Sequence, residues 1–117
     1  MGNRVVAFEI SSQDAEKQSK FYADVFGWDL GEPNWGYYPV KTGSSDMPGI
    51  DGGISQGPSH FPAGVRLQIE VDSIEDSIAK AVEHGAKVVQ EKMDFGEFAL
   101  AYIVDPLGVH YGLIENK

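Results

Sequence analysis

The stretch VRLQIEVDSIEDSIAKAVEHG at residues 65–85 combines a strand pattern with a helix pattern, and it decides the fold. Its first seven residues alternate between apolar and polar, which predicts a strand at Val65–Val71 with the apolar residues facing inward. Asp72 and Glu75 have the spacing of a capping box. An apolar stripe at helical spacing follows and ends at Gly85, which predicts an amphipathic helix with a glycine stop.

The same order of elements occurs in the first part of the chain. Alternation predicts a strand at Val5–Ile10, the short polar side chains of Ser11–Asp14 favour a helix start, and the helix runs to about Phe26. Gly27 then occupies the position of a left-handed cap. A strand, a helix start, a helix and a glycine stop therefore occur twice in the same order.

Matched residues give the spacing of this internal repeat. Ile69 follows Ile10 by 59 residues and Gly112 follows Gly53 by 59, whereas Gly85 follows Gly27 by 58. One residue of slippage at the helix start accounts for the difference. Two copies of this length indicate a duplicated supersecondary unit rather than a solenoid.

The remaining strands complete two βαβββ repeats at about residues 1–56 and 64–117. They are predicted at Trp28–Leu30, Tyr37–Lys41, Asp51–Ser55, Lys87–Gln90, Ala99–Val104 and Val109–Ile114. Gln56–Gly64, with two prolines and two glycines, is the predicted linker. The fold class is α+β, and 117 residues suit a single domain over residues 1–117.

Composition excludes several classes of function. A net charge of -9 argues against partners that need clustered Lys and Arg, which are nucleic acids and anionic membranes. The absence of cysteine excludes a disulfide framework, a thiol nucleophile and a thiolate metal site. No apolar run is long enough for a signal peptide or a transmembrane helix, so a cytoplasmic location is expected by default.

Five segments resemble the glyoxalase/bleomycin-resistance/extradiol-dioxygenase superfamily, in particular its small glyoxalase-like subgroup related to lactoylglutathione lyase. They are Phe21–Trp28 (FYADVFGW), Asp105–Gly108 followed by Leu113–Glu115, and Phe8–Ile10 with Gly49–Ile54. The resemblance implies a curved, mixed, cup-shaped sheet with the helices outside and the substrate inside. It also implies a homodimer, since exposed edge strands need cover. It does not specify the reaction.

The resemblance also implies where metal ligands would stand, on the first and last strand of each repeat. Those positions hold Ala7, about Gly53, Arg66 and Gly112. Alanine and glycine have no side-chain donor and arginine is a cation, so none of the four can bind a divalent ion. We therefore predict no metal and no other cofactor, with the two glycines leaving room at the floor of the cup.

Arg66 is the strongest candidate for ligand binding, because its guanidinium would take the place of the metal and could hold a carboxylate, enolate or phosphate. The alternative is an internal salt bridge with Glu9 or Glu70. Glu9, Glu70 and His110 are candidate catalytic acids or bases, and each also has a structural explanation as an ion-paired, solvated or core residue.

The other candidates for substrate binding are Gln68, Trp28 and Tyr102; each aromatic ring could equally be part of a core or a dimer interface. Three functions remain open at this point. The chain is a metal-independent protein that binds a small anionic or aromatic molecule, or an unusual lyase or isomerase of the same superfamily with Glu9 or Glu70 as base, or an assembly or regulatory module without a ligand.

Overall fold

The computed structural model describes residues 3–34, 36–57 and 63–117. Trp35, His60 and most of the predicted linker lie outside the described residues. The elements, in chain order, are β1 (Arg4–Ser12), α1 (Ala15–Phe26), β2 (Asp29–Leu30), β3 (Tyr37–Lys41), β4 (Gly52–Gln56), β5 (Gly64–Glu70), α2 (Ile74–Glu83), β6 (Lys87–Asp94), β7 (Phe98–Val104) and β8 (His110–Asn116). The predicted α+β class and the two βαβββ repeats are confirmed.

The chain divides into two compact units. We call Ala7–Arg66 the first unit; the second unit joins the beginning of the chain, as far as Val6, to Leu67–Lys117. In the first unit the strand order is β2-β3-β4-β1, with β1 and β4 parallel and the other neighbours antiparallel. Its core lies between α1 and the sheet and consists of Ile10, Ala15, Val40 and Ile54.

The second unit repeats this arrangement. Its strand order is β5-β8-β7-β6, with β5 and β8 parallel and the remaining pairs antiparallel. α2 packs on the sheet over a core of Val71, Ile74, Ala99, Ala101, Ile103 and Leu113. The matching register explains the repeat: Glu9 pairs with Gly53 between β1 and β4, and Gln68 pairs with Gly112 between β5 and β8.

The helix ends correct two predictions. The cap of α2 is Ser73, whose hydroxyl accepts from Asp76 N, so the predicted capping box at Asp72 is wrong by one position. The helix starts align at Ala15 and Ile74, whereas α1 has 12 residues and α2 has 10. The slippage between the repeats therefore lies at the helix end, where Gly27 follows α1 with a left-handed φ of 71°.

Each helix start is tied to the last strand of its own repeat. Gln56 Oε1 accepts from Ala15 N at 2.8 Å, and Glu115 Oε1 accepts from Ile74 N at 2.8 Å. Both contacts satisfy an amide that has no partner within its helix. Because each spans 41 residues, each fastens the helix to a strand at the far end of the repeat.

The predicted inward face of β5 is only partly correct. Ile69 packs against the core, but Val65 is 64% exposed and Leu67 is 40% exposed. Arg66, between them, is buried. Burial thus changes along β5, so strand alternation gave the two faces correctly but not which of them is covered.

Two further observations complete the fold. β6 continues to Asp94, beyond the predicted end at Gln90, with irregularities in its pairing to β7. Such bulges disturb the two-residue period by which a strand is recognised. Among the described residues, no helix is long and apolar enough to cross a membrane.

Candidate functional site

The first unit contains a buried ion pair on the face of the sheet opposite α1. Arg66 Nη2 donates to Glu9 Oε2 at 3.1 Å, and each residue is 4% exposed. Ser55 Oγ donates to the same carboxylate oxygen at 2.9 Å. Burying two charges is costly unless they are paired and hydrogen-bonded, and here both conditions are met.

Strand alternation places these residues on one face. Phe8 and Ile10 on β1 point to the α1 side and pack in its core, so Glu9 and Ser11 point to the opposite face. Ser55 on β4 pairs in register with Ser11. The polar face of β1 is therefore covered rather than solvated, and we call Glu9, Ser11, Tyr37, Ser55 and Arg66 the Arg66 cluster.

Tyr37 occupies the space above Gly53. A Cβ added at Gly53 would lie 2.1 Å from Tyr37 Oη, so only glycine fits beneath the phenol. Gly53 pairs with Glu9, which brings the phenol close to that carboxylate. Burial, and secondarily the negative charge of Glu9, raise the pKa of Tyr37. The phenol therefore stays protonated and remains a hydrogen-bond donor.

One hydroxyl group of the cluster is not used within the described part of the chain. Ser11 is 2% exposed and its Oγ has no hydrogen-bond partner there. Tyr37, by contrast, is 37% exposed, so water can reach it. Buried polar groups in folded proteins are nearly always paired, so an unused buried hydroxyl indicates a place for a partner.

The corresponding face of the second unit carries no ion pair among its described residues at the matching positions. Gln68 stands where the first unit has Glu9, and it pairs with Gly112. A Cβ at Gly112 would lie 3.2 Å from Tyr102 Cε1 and 3.3 Å from Gln68 Cγ. The predicted open space at Gly53 and Gly112 is therefore wrong, because in each unit a tyrosine lies over the glycine.

The resemblance places metal ligands at four positions, and the groups found there do not fit a divalent ion. Arg66 is held in the ion pair, Ala7 has no donor, and the space at Gly53 is filled by Tyr37. The space at Gly112 is filled in the same way by Tyr102. Across residues 3–34, 36–57 and 63–117, no group of three or more His, Asp or Glu side chains is arranged to hold a metal.

The predicted site residues are divided between the two units. Glu9 is the partner of Arg66, whereas Glu70, in the second unit, accepts from Asn116 Nδ2 at 2.6 Å. His110 begins β8 opposite Val104 and is half-buried. Gln68 and Tyr102 flank Gly112, as described above. The roles predicted for these residues stay predictions, and Glu9 is the one placed best for chemistry. The residues are Glu9, Glu70, His110, Gln68 and Tyr102.

Trp28 lies on the other side of the first unit's sheet. Its ring stacks on Tyr22, with centroids 5.0 Å apart and an interplanar angle of 8°, and it also contacts Phe8 and Phe26. Of these rings, those of Trp28, Tyr22 and Phe8 pack against the core under α1. The structural alternative considered for Trp28, a place in the core, therefore describes its position, and the residue is not part of the Arg66 cluster.

Sequence reasoning missed Ser11, Ser55 and Tyr37. Ser11 was interpreted as part of the helix start, but β1 continues to Ser12, and alternation over that length places Ser11 beside Glu9. Ser55 ends the predicted fourth strand two residues after Gly53, which is a usable signal. Tyr37 reaches the cluster from a neighbouring strand, and no local pattern indicates that contact.

Comparisons with known proteins agree on the kind of domain. The sequence model of a family described as "Glyoxalase-like domain" matches residues 6–114. A relative from Didymella fabae, a "Glyoxylase-like domain-containing protein", is 26% identical over 98 residues, which cover 80% of this chain and 77% of that protein.

Solved structures share the fold over nearly the full length. A glyoxalase/bleomycin resistance protein/dioxygenase superfamily member from Vibrio splendidus 12B01 superposes with a TM-score of 0.67 at 20% identity, covering 98% of this chain and 100% of that chain. A variant of Streptomyces coelicolor methylmalonyl-CoA epimerase, in complex with 2-nitronate-propionyl-CoA, gives a TM-score of 0.64 at 15% identity, covering 97% of each chain. At these identities the likeness shows the fold alone.

Proposed function

Because this chain belongs to the glyoxalase-like domain family, we propose that it binds a small organic anion at Arg66, without a divalent metal. The observation that carries the proposal is the buried pair of Arg66 and Glu9, on the face of the sheet opposite the helix. A guanidinium offers several donors in a planar fork that matches a carboxylate. In the absence of a ligand, Glu9 supplies that carboxylate from within the chain.

The chemistry of the pair defines how a ligand would enter. Glu9 already accepts from Ser55 Oγ at 2.9 Å, so its carboxylate keeps a donor when an anion takes over Arg66. The ligand's carboxylate and Glu9 then compete for one guanidinium. Neighbouring like charges repel, so the resident carboxylate lowers the affinity for the incoming anion. Binding is therefore a replacement of Glu9 by an external carboxylate.

Substitution of Glu9 tests this replacement directly. We expect Glu9→Gln to bind propionate and benzoate at least about tenfold more tightly than the unaltered protein, because the competing charge is gone. Isothermal titration calorimetry gives the affinities, and the rise in Tm at saturating acid gives an independent value. Equal or weaker binding by Glu9→Gln would contradict the proposal.

Two further variants complete the experiment. Arg66→Gln alone removes the guanidinium that donates to buried Glu9, so the double variant Glu9→Gln/Arg66→Gln, in which neither charge remains, is the one expected to fold and to lose binding. Glu75→Gln is the matched control, because it also removes one carboxylate from an ion pair, with Lys92, but on the surface. It should leave the affinity for both acids unchanged. Retention of binding by the double variant would overturn the proposal.

A second candidate function is a lyase or isomerase that uses Glu9 as a base, with Arg66 stabilising an enolate. The observation that favours it is that Glu9, Arg66 and the protonated Tyr37 lie together, so one face holds a carboxylate, a cation and a proton donor. An epimerase among the proteins of the same fold is consistent with such chemistry.

Hydrogen exchange at the ligand separates the two candidates. A base at Glu9 would exchange the α-hydrogen of a bound acid or thioester with D2O, followed by NMR, and Glu9→Gln would abolish that exchange while it strengthens binding. Tight binding without exchange would support a binding protein alone. If no acid binds, the third alternative, an assembly or regulatory module, is favoured; the homodimer and the cytoplasmic location stay predictions.

A further inference from the structure

The two units differ in how the space between helix and sheet is filled. In the first unit, Tyr22 packs against the core, and its ring stacks on that of Trp28 with the centroids 5.0 Å apart. Ala81 holds the position of Tyr22 in α2, because each is the eighth residue of its helix. Ala86 corresponds to Trp28, since each directly follows the glycine after its helix. Two alanines in the second unit therefore replace a pair of stacked rings.

A hollow of about 290 Å³ lies beside Ala81 in the second unit. Its apolar lining consists of Ala81 on α2 and of four residues on or next to the strands, which are Ile69, Val71, Ile103 and Leu113. Alanine in place of a large side chain leaves a cavity wherever the neighbouring side chains do not close over it. An apolar cavity of roughly 150 Å³ is already large enough to hold benzene, so this hollow has room for one ring.

The wall of the hollow is the counterpart of the wall behind Tyr22. Ile69 pairs with Leu113 in register between β5 and β8, as Ile10 pairs with Ile54 between β1 and β4. Ile10 and Ile54 belong to the core against which Tyr22 packs. The hollow therefore has the same kind of wall, in the place where the first unit holds an aromatic ring.

The polar residues of the lining suit an uncharged oxygen atom better than an anion. They are Asn3, Ser77, Lys80 and His84, and no acidic side chain is among the described residues that line the hollow. These side chains can donate to an oxygen of a ligand. A carboxylate would have to lose water in a mostly apolar hollow, and an ion pair with the exposed Lys80 contributes little. A neutral hydroxyl avoids that cost.

We propose that the hollow beside Ala81 binds a neutral aromatic molecule of one ring, with a phenol as the best fit. The ring packs on Ile69, Leu113 and Ala81, in the space that corresponds to Tyr22 of the first unit. The hydroxyl lies at the polar residues of the lining. All the lining residues belong to the second unit, so this site is independent of anion binding at Arg66.

The probe is p-cresol, which is the side chain of tyrosine as a free molecule. On titration of the protein with p-cresol, we expect saturable shifts of the amide resonances of Ala81 and Leu113 in NMR spectra. Benzoate, which has the same ring with a charge, should not shift them. The double variant Glu9→Gln/Arg66→Gln should respond to p-cresol as the unaltered protein does, which keeps this test separate from the function proposed above.

Ala81→Tyr tests the location of the site, because it gives α2 the residue that α1 has. The added ring fills the hollow, so we expect the affinity for p-cresol to fall at least about tenfold, while Tm does not fall. Ala79→Tyr is the matched control, because it makes the same substitution at an exposed position of α2, and it should leave the affinity unchanged. Ala81→Leu, a smaller filling, should weaken binding by a smaller factor and serves if a full ring overpacks the hollow.

Several outcomes would overturn the inference. The first is the absence of shifts at Ala81 and Leu113 with p-cresol, and the second is full affinity for p-cresol in both Ala81→Tyr and Ala81→Leu. Shifts of the same size with benzoate would contradict the assignment of a neutral ligand. Loss of p-cresol binding in Glu9→Gln/Arg66→Gln would show that the ring binds at the Arg66 cluster instead. If no carboxylate binds at Arg66, p-cresol binding beside Ala81 still stands.

Discussion

The first unit and the second unit fasten their helices in the same way but differ on the opposite face. Gln56 accepts the Ala15 amide, and Glu115, 59 residues further along, accepts the Ile74 amide. On the other face, Glu9 pairs with Gly53, whereas the corresponding residue of the second unit is the neutral Gln68. The contact that closes each repeat is therefore kept in both copies, and the charged site is present in one.

This difference teaches where to look for function in a duplicated fold. Contacts that both copies share at the same spacing stabilise the fold, because each copy needs them to hold its helix against its last strand. A buried ion pair in one copy is not needed for that purpose, since the other copy closes without one at the matching position. The Arg66 cluster is for this reason the stronger candidate for a site than the face around Gln68 and Gly112.

The largest expected effect follows from removal of the charge that distinguishes the units. Glu9→Gln gives both units a neutral amide at this position and removes the carboxylate that accepts from buried Arg66. We expect the free energy of unfolding, measured with urea, to fall by roughly 3–5 kcal/mol. The surface variant Glu75→Gln should change it little. A small loss for Glu9→Gln would mean that the pair is hydrated, and the contrast between the units would disappear.

A smaller effect is expected from the two glycines covered by tyrosines. Gly53→Ala places a Cβ 2.1 Å from Tyr37 Oη, whereas Gly112→Ala places one 3.2 Å from Tyr102. We expect Gly53→Ala to cost about 1–3 kcal/mol in urea unfolding and Gly112→Ala less than about 1 kcal/mol. Addition of Tyr37→Ala to Gly53→Ala should recover part of the loss through coupling. Equal losses in the free energy of unfolding for the two variants would contradict this, because they would show that Tyr37 and Tyr102 move aside equally easily.

The smallest expected effect is a pH dependence that belongs to the first unit. Burial and the charge of Glu9 raise the pKa of Tyr37 above 10.0, so the unfolded chain loses this proton first as pH rises. The resulting stability is complete below about pH 10 and is lost as pH rises through the folded pKa. The unaltered protein should therefore lose stability more steeply above pH 10 than Tyr37→Phe does. Parallel curves would contradict this.

The sequence predicted the elements and the faces of the strands well. Alternation placed Glu9 and Arg66 on the faces away from the apolar residues, and the glycine stops marked both helix ends. The cap of α2 was misplaced by one residue because Asp72 and Ser73 are both good caps and lie side by side. These are local properties, and local patterns specify them.

The site was less accessible to sequence reasoning, because it depends on contacts between strands distant in the chain. Alternation shows two faces but not which one is covered, so Val65 was expected to be covered and the burial of Arg66 stayed open. The contact of Tyr37 with Gly53 also depends on register between strands. The glycine was recognised, but it was interpreted as open space, since nothing in the local sequence indicates which ring fills it.

The contact between each helix start and its last strand has a consequence for native-state dynamics. First-turn amides normally exchange readily with solvent deuterium, because they lack partners within the helix. The Ala15 and Ile74 amides instead donate to side chains 41 residues away. Their protection factors thus report long-range closure rather than local fraying. Each amide acts as a built-in reporter of its own half, and a comparison of the two rates reveals whether the duplicated halves open together or in turn.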